Sequence, residues 1–266
     1  MSKLRNSTCK VHVYSEDAQS MYLEVDPATH GLPEFSRRFP SVPLWTDTAV
    51  RAGARVTATG CECGLLVVTR LSLDNMDSLV SWEKQFHGPL TCTKLFSVTP
   101  DPLTPPPCLN LTTPPRAEAD TSLHLCVSHS LGQTEVFRDI LHSSLADSCS
   151  LPESDSSDIV TCICVADVGM AGRQSLVLGT YGHQILCYDH TEAEAAWSLA
   201  WRRSLSAPVL SVRCEDLTGD GVRELIVVTT RGVQVLQLQL DNVKEVAIQR
   251  LRKLVEHKKA LESSNS

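Results

Sequence analysis

The sequence predicts an all-β fold: an incomplete (partial) β-propeller of about four to five blades, with a C-terminal α-helix appended. Three observations predict it. Short runs rich in Val, Ile, Leu and Thr alternate with Gly, Asp, Asn or Ser punctuation, the pattern of strands joined by tight turns. Residues 160–189 align with residues 209–238 at an offset of 49, pairing Asp167 with Asp216, Gly172 with Gly221 and Leu176 with Leu225. Trp82 and Pro89 recur 119 residues on as Trp201 and Pro208, almost two periods of 49 once a 22-residue proline-rich insertion is discounted. Periods of about 40 to 50 residues with several short strands each are what propeller blades produce.

In chain order, strands are expected at 10–14, 54–58, 64–71, 90–97, 123–128, 159–166, 176–179, 185–188, 209–214, 225–229 and 233–238. Their apolar runs, such as Leu65 to Val68 and Leu225 to Val228, have the length of strands rather than helices. After the fourth run, seven of the fourteen prolines crowd between Pro100 and Pro115. Such a stretch builds neither helix nor sheet ladder, so 99–120 reads as a long, irregular, exposed loop within a propeller spanning residues 1–240. Beyond residue 240 the period changes. Val243, Ala247, Leu251, Leu254, Val255 and Leu261 follow helical spacing, with Lys244, Arg250, Lys253, Lys258 and Lys259 on the polar side. Residues 241–266 therefore read as an amphipathic helix and short tail, started by Asp241 or Asn242 as cap. Discounting the loop and everything after Leu240 leaves roughly 4.4 periods. A propeller rarely ends mid-blade, so the missing blades are expected from an N-terminal region outside this sequence or from a partner.

Composition narrows the function. The 266 residues carry 24 Lys+Arg against 31 Asp+Glu, a net charge of -7, and are 42% hydrophobic. That suffices for a sizeable core and excludes a wholly disordered chain. The acidic balance argues against the broad basic footprint of a nucleic-acid binder. No apolar run approaches the roughly 20 residues that span a bilayer, so no transmembrane segment is expected. The first twenty residues contain no secretory h-region, which makes the cytosol the expected compartment and the matches to a glycosylation sequon at Asn6 and Asn110 accidental. Eleven cysteines lie mostly inside strand-like stretches, where reduced thiols pack as small hydrophobes. The pairs Cys61/Cys63 and Cys162/Cys164 are spaced to put both sulfurs on one face of a strand, but they lack the matching C-x-x-C knuckles of a zinc site.

The most chemically suggestive run is Asp216 to Glu224, DLTGDGVRE. Asp216, Thr218, Asp220 and Glu224 present alternating oxygens around Gly221, a pattern that wraps calcium when enough carboxylates are present. Here Thr218 replaces one, and the paired copy has Gly169 and Ala171 where Thr218 and Asp220 stand. The plainer reading is an Asp/Gly turn, with cation binding weak and structural at most and no cofactor expected. No nucleophile elbow, phosphate loop or H-E-x-x-H occurs, and His183 reads as a solvated turn residue, so an enzyme is not expected. The helix lacks Trp or Phe anchors and mixes Glu245, Glu256 and Glu262 among its lysines. Its stripe, Leu251, Leu254 and Val255 above all, is expected to bind the propeller or a protein partner rather than lipid.

Beyond these patterns, TEVFRDIL (134–141), TYGHQILCYD (180–189), AWRRSLSAPVLSV (200–212), EDLTGDGVRELIVV (215–228) and RLRKLVEHKK (250–259) together resemble the kaptin family of KICSTOR subunits. Looser correspondences, KVHVYSED, PLWTD and GPLTCTKLFSV, precede them, and DLTGDG also resembles a degenerate FG-GAP repeat of the integrin-α propeller type. The resemblance implies a non-enzymatic adaptor that pairs with a second FG-GAP propeller subunit among other KICSTOR subunits. It further implies a cytoplasmic location, peripheral at the lysosomal membrane, where KICSTOR brings the GATOR complex and restrains the target-of-rapamycin kinase complex when amino acids or glucose run short. It equally implies an alternative, binding to F-actin in lamellipodia and stereocilia. Members of the family begin with a longer N-terminal region. An extracellular calcium-dependent adhesion propeller is disfavoured by the reduced cysteines.

Overall fold

Strands form where β-branched and aliphatic residues run together, and they arrive mostly in fours. The structure, a computed structural model, describes residues 8–16, 21–51, 53–74, 79–98, 122–169, 174–191, 196–219 and 222–237, with positions 244, 245, 248, 249, 251, 252, 255 and 256 beyond them. Residues 99–120, Asn6 and Asn110 lie outside the described residues. Two ribbons come first: β1 (Cys9–Lys10), β2 (Val13–Glu16), β3 (Tyr22–Val25) and β4 (Arg38–Phe39), with β1 pairing β4 and β2 pairing β3. The run expected at 10–14 is thus split between two ribbons, because Val11 packs into a small cluster with Phe39, Cys61 and Val67 while Tyr14 faces solvent.

Four antiparallel blades follow. The first is β5 (Pro43–Arg51), β6 (Ala54–Cys61), β7 (Leu65–Ser72) and β8 (Leu79–Gln85). The second is β9 (Leu90–Phe96), β10 (His124–His129), β11 (Glu135–Phe137) and β12 (Ser148–Ser150), with one helical turn, α1 (Ile140–Ser143), before its last strand. The third is β13 (Val160–Ala166), β14 (Ser175–Thr180), β15 (Gln184–Thr191) and β16 (Ala196–Ser204). The fourth has three strands, β17 (Val209–Glu215), β18 (Glu224–Thr229) and β19 (Gly232–Leu236). In each of these four sheets the strands lie in chain order, the meander of a blade, and the fold class is that of an incomplete β-propeller. The aligned segments 160–189 and 209–238 are the first three strands of successive blades.

A longer duplication shows in the registers. β7 pairs Leu66 with Lys84 and Val68 with Trp82; β15 pairs Ile185 with Arg203 and Cys187 with Trp201, each 119 residues on. A bulge between Leu90 and Cys92 where β9 meets β10 recurs between Val209 and Ser211 where β17 meets β18. The Phe86 N–H donates to the Gly64 carbonyl at 2.8 Å, and the Leu205 N–H to the His183 carbonyl at 2.7 Å. Each proline of the tryptophan echo sits just before a blade's first strand, where the missing N–H costs no ladder bond.

The chain divides into two compact units, Met1–Ser97 with Thr121–Val160, and Thr161–Ser266 counted with Val98–Asp120. Each holds its own core. In the first, Val56, Ala58, Leu66 and Val68 meet Leu90, Leu125, Val127 and Phe137. In the second, Val177, Ile185 and Cys187 meet Val209, Leu225 and Val227.

Candidate partner-docking and cation sites

The turn between β17 and β18 carries the oxygens singled out above, and Glu224 organises it. Its carboxylate is fully buried. One oxygen accepts the Thr218 hydroxyl at 3.2 Å and the Gln237 amide at 3.0 Å; the other accepts the Leu217 N–H at 2.8 Å. Asp216 accepts the Gly219 N–H at 2.7 Å, closing an Asx-type turn that Gly219 completes with φ 73°. The backbone N–H of Leu217, the Gln237 amide and the Thr218 hydroxyl hold Glu224 below the ordinary carboxylate range. Asp220 lies outside the described residues.

Glu224 and Thr218 are not placed as calcium ligands. A hard cation needs oxygen lone pairs converging on one point. Glu224 instead turns both oxygens onto hydrogen-bond donors, and Thr218 serves as one of those donors rather than as a ligand. Among the described residues no group of three His, Cys, Asp or Glu is placed to hold a metal ion. A signal for the inward carboxylate existed in the repeat: Ser175, 49 residues earlier, is also buried and also satisfied by a side chain, donating to Asp189 at 2.6 Å.

The C-terminal segment is helical at positions 244, 245, 248, 249, 251, 252, 255 and 256. Ile248, Leu251 and Val255, spaced along one helical face, are 39%, 47% and 52% exposed. Leu254, Val243 and Ala247 lie outside the described residues. No helix among the described residues is long and apolar enough to cross a membrane.

Cys162 and Cys164 share a face of β13 and pack in the second core. Cys61 and Cys63 do not share a strand: β6 ends at buried Cys61, and Cys63 sits exposed in the following turn. Burial pushes the thiols of Cys61 and Cys214 up to about 11 and that of Cys187 to about 12, out of the nucleophilic range. His183 is exposed at its turn with φ 64°, where Gly64 has φ 84° in the earlier copy.

Sequence reasoning missed a buried ion pair. Glu34, in a short 3-10 turn, Pro33–Phe35, takes the Arg55 guanidinium through both oxygens, at 2.8 and 2.9 Å. Arg55 also donates to the Gly31 carbonyl, and Thr57 to Glu34.

Four-stranded antiparallel sheets that follow one another along the chain define a protein of the incomplete β-propeller class. Two comparisons with known proteins agree on its family. The family described as "KICSTOR complex protein kaptin" matches residues 4–248. The chain is also 34% identical over 254 residues to the mouse (Mus musculus) KICSTOR complex protein kaptin, covering 94% of this chain and 56% of that protein. The chain belongs to the kaptin family and spans about half the length of that curated relative. Among solved structures it is similar, at 14% identity, to BBS1N in complex with ARL6DN, with a TM-score of 0.49 over 87% of this chain and 60% of that one. A second crystal of the same complex gives 0.47 over 76% and 55%.

Proposed function

We infer that the chain works as a non-enzymatic adaptor within a KICSTOR assembly, supporting recruitment of the GATOR complex to lysosomes and nutrient-dependent restraint of the target-of-rapamycin kinase complex. The observation that carries this reading is the family match over 4–248, in a family described as part of that complex. Partners are a second FG-GAP propeller subunit and the other KICSTOR subunits, with GATOR reached through them, and the protein sits in the cytoplasm, peripheral at the lysosomal membrane. This reading calls for no cofactor, and the hydrogen bonds that occupy Glu224 at the turn where calcium would sit support it.

The fourth blade supports dependence on a partner. Among the described residues β19 pairs with β18 alone, while the other three blades each have four strands. Its Val233 and Val235 are 63% and 49% exposed. Positions 49 residues beyond β16, which belong to the missing fourth strand by the repeat, are helical where described. An unpaired apolar edge is a template for another strand. Affinity purification of the tagged chain from cells, with quantitative identification of partners, tests the function. KICSTOR subunits recovered in near-equal amounts support it, whereas F-actin recovered without them transfers the function to the cytoskeleton.

A further inference from the structure

The turns from second to third strand are equivalent from blade to blade, and in the second blade a histidine closes the turn. In the fourth blade Thr229 does so: its hydroxyl donates to the Gly232 carbonyl at 2.9 Å and accepts the Arg231 N–H at 3.3 Å. Thr180, 49 residues earlier, does the same in the third, donating to the Gln184 carbonyl and accepting the Gln184 N–H, both at 3.1 Å. In the second blade the place belongs to His129, the last residue of β10. The frames match. The Ser130 N–H donates to the Pro89 carbonyl at 2.9 Å as the Thr230 N–H does to that of Pro208 at 3.2 Å. Gly132 and Gly232 close the two turns with positive φ, 131° and 140°.

His129 closes its turn by packing instead of by a hydroxyl bridge. Its ring centroid lies 5.0 Å from that of Phe86, and Gly132 stands so close that a Cβ there would come within 2.8 Å of the ring's Cε1. Nδ1 is buried, and among the described residues it has no hydrogen-bond partner. A neutral ring accommodates this with its one proton on Nε2. An imidazolium carries a proton on each nitrogen, and a buried donor without an acceptor is destabilising. Burial holds the His129 pKa below the ordinary histidine value; Glu135 on β11 pulls the other way, while His87, in the loop after β8, and Lys84 on β8 add to the lowering. Glu135 is itself engaged by Lys84 at 2.8 Å.

We propose that His129 is a proton-operated latch on the β10–β11 turn: the neutral ring, seated against Phe86 and Gly132, keeps residues 130–133 closed, and a proton on Nδ1 drives the ring out and releases them. The turn carries Leu131, 63% exposed, which rests against the loop after β8, where a Cβ on Gly88 would lie 3.0 Å from its Cγ. Release takes this apolar tip off that loop. Because the folded pKa is lowered, the closed turn is fully stable above the open-state value of about 6.5 and loses stability as pH falls below it. Thr180 and Thr229 carry no titrating group, so the equivalent turns of the third and fourth blades lack the latch.

The test is hydrogen–deuterium exchange of the full chain, read residue by residue by amide NMR between about pH 7.5 and about pH 5. After correction for the intrinsic pH dependence of exchange, the Leu131 and Gly132 amides are expected to lose protection threefold or more at the acid end, with a midpoint below about 6.5. His129→Thr, which copies the turn of the fourth blade, should hold that protection constant with pH. Protection in the wild type that does not change with pH overturns the proposal, and so does an undiminished response in His129→Thr. A His129 Cε1–H resonance that titrates while both amides stay protected overturns it equally, and this reading needs no variant.

Discussion

Glu34 is buried in a loop turn, and without Arg55 it would carry an unmatched charge into the protein. Their bidentate pair, backed by Thr57 and Gly31, ties that turn to β6. Removing one partner of a buried pair costs about 3 to 5 kcal/mol, because the other charge stays behind. Arg55→Ala should therefore lower the unfolding free energy of the first unit, read by equilibrium denaturation, by that amount, while Arg37→Ala, at the more exposed pair with Glu83, costs about 1 kcal/mol or less. Glu224 makes a pH prediction. Its folded pKa is depressed, so its contribution is fully present above the unfolded value and is lost as pH falls through the folded one. The melting temperatures of wild type and Glu224→Gln should differ at neutral pH and converge below about pH 4.3. A gap independent of pH would mean the charge is irrelevant. The sequence offered Glu224 as one of four candidate cation ligands, not as the acceptor that closes its turn, since spacing alone does not distinguish a carboxylate aimed at a cation from one aimed at hydrogen-bond donors. The Glu34–Arg55 pair was illegible because its partners lie 21 positions apart, in a loop and a strand with no shared pattern.

Blade-to-blade packing depends on two glycines at equivalent places. A Cβ on Gly60 of β6 would come within 2.8 Å of the Leu90 Cβ on β9, and one on Gly179 of β14 within 2.5 Å of the Val209 Cγ1 on β17 and 2.6 Å of the Cys162 Sγ. Gly60→Ala and Gly179→Ala should each cost about 1 to 3 kcal/mol by overpacking. Gly169→Ala, with nothing within 4 Å of the added methyl, should change stability by about 0.5 kcal/mol or less. Equilibrium denaturation of the three variants checks this. The strands legible in the sequence are the inner and middle ones, such as β6, β7 and β14, buried on both faces and hence continuously apolar. Those missed include β8 and β16, LVSWEKQ and AWSLAWRRS, each half exposed with charges on the outer face. Trp82 and Trp201 were visible only as an echo, because a part-buried aromatic among mostly exposed neighbours gives no period. The missed β5, PLWTDTAVR, is polar for the same reason.

At the scale of the whole molecule, the 49-residue repeat and the tryptophan echo sufficed to give the fold class, since each blade reuses the same pattern of turns and apolar runs. The pairing of blades into a 119-residue duplication needed the registers. The central proposal is that a partner protein completes the edge of the fourth blade, at β19. Hydrogen–deuterium exchange of the chain alone and in its purified complex tests that claim most directly. The account predicts that β19, Gly232–Leu236, exchanges faster than β11, Glu135–Phe137, in the isolated chain and slows at least tenfold in the complex, while β11 is unchanged. β19 as protected as β11 in isolation, or unaltered by the partner, would contradict it.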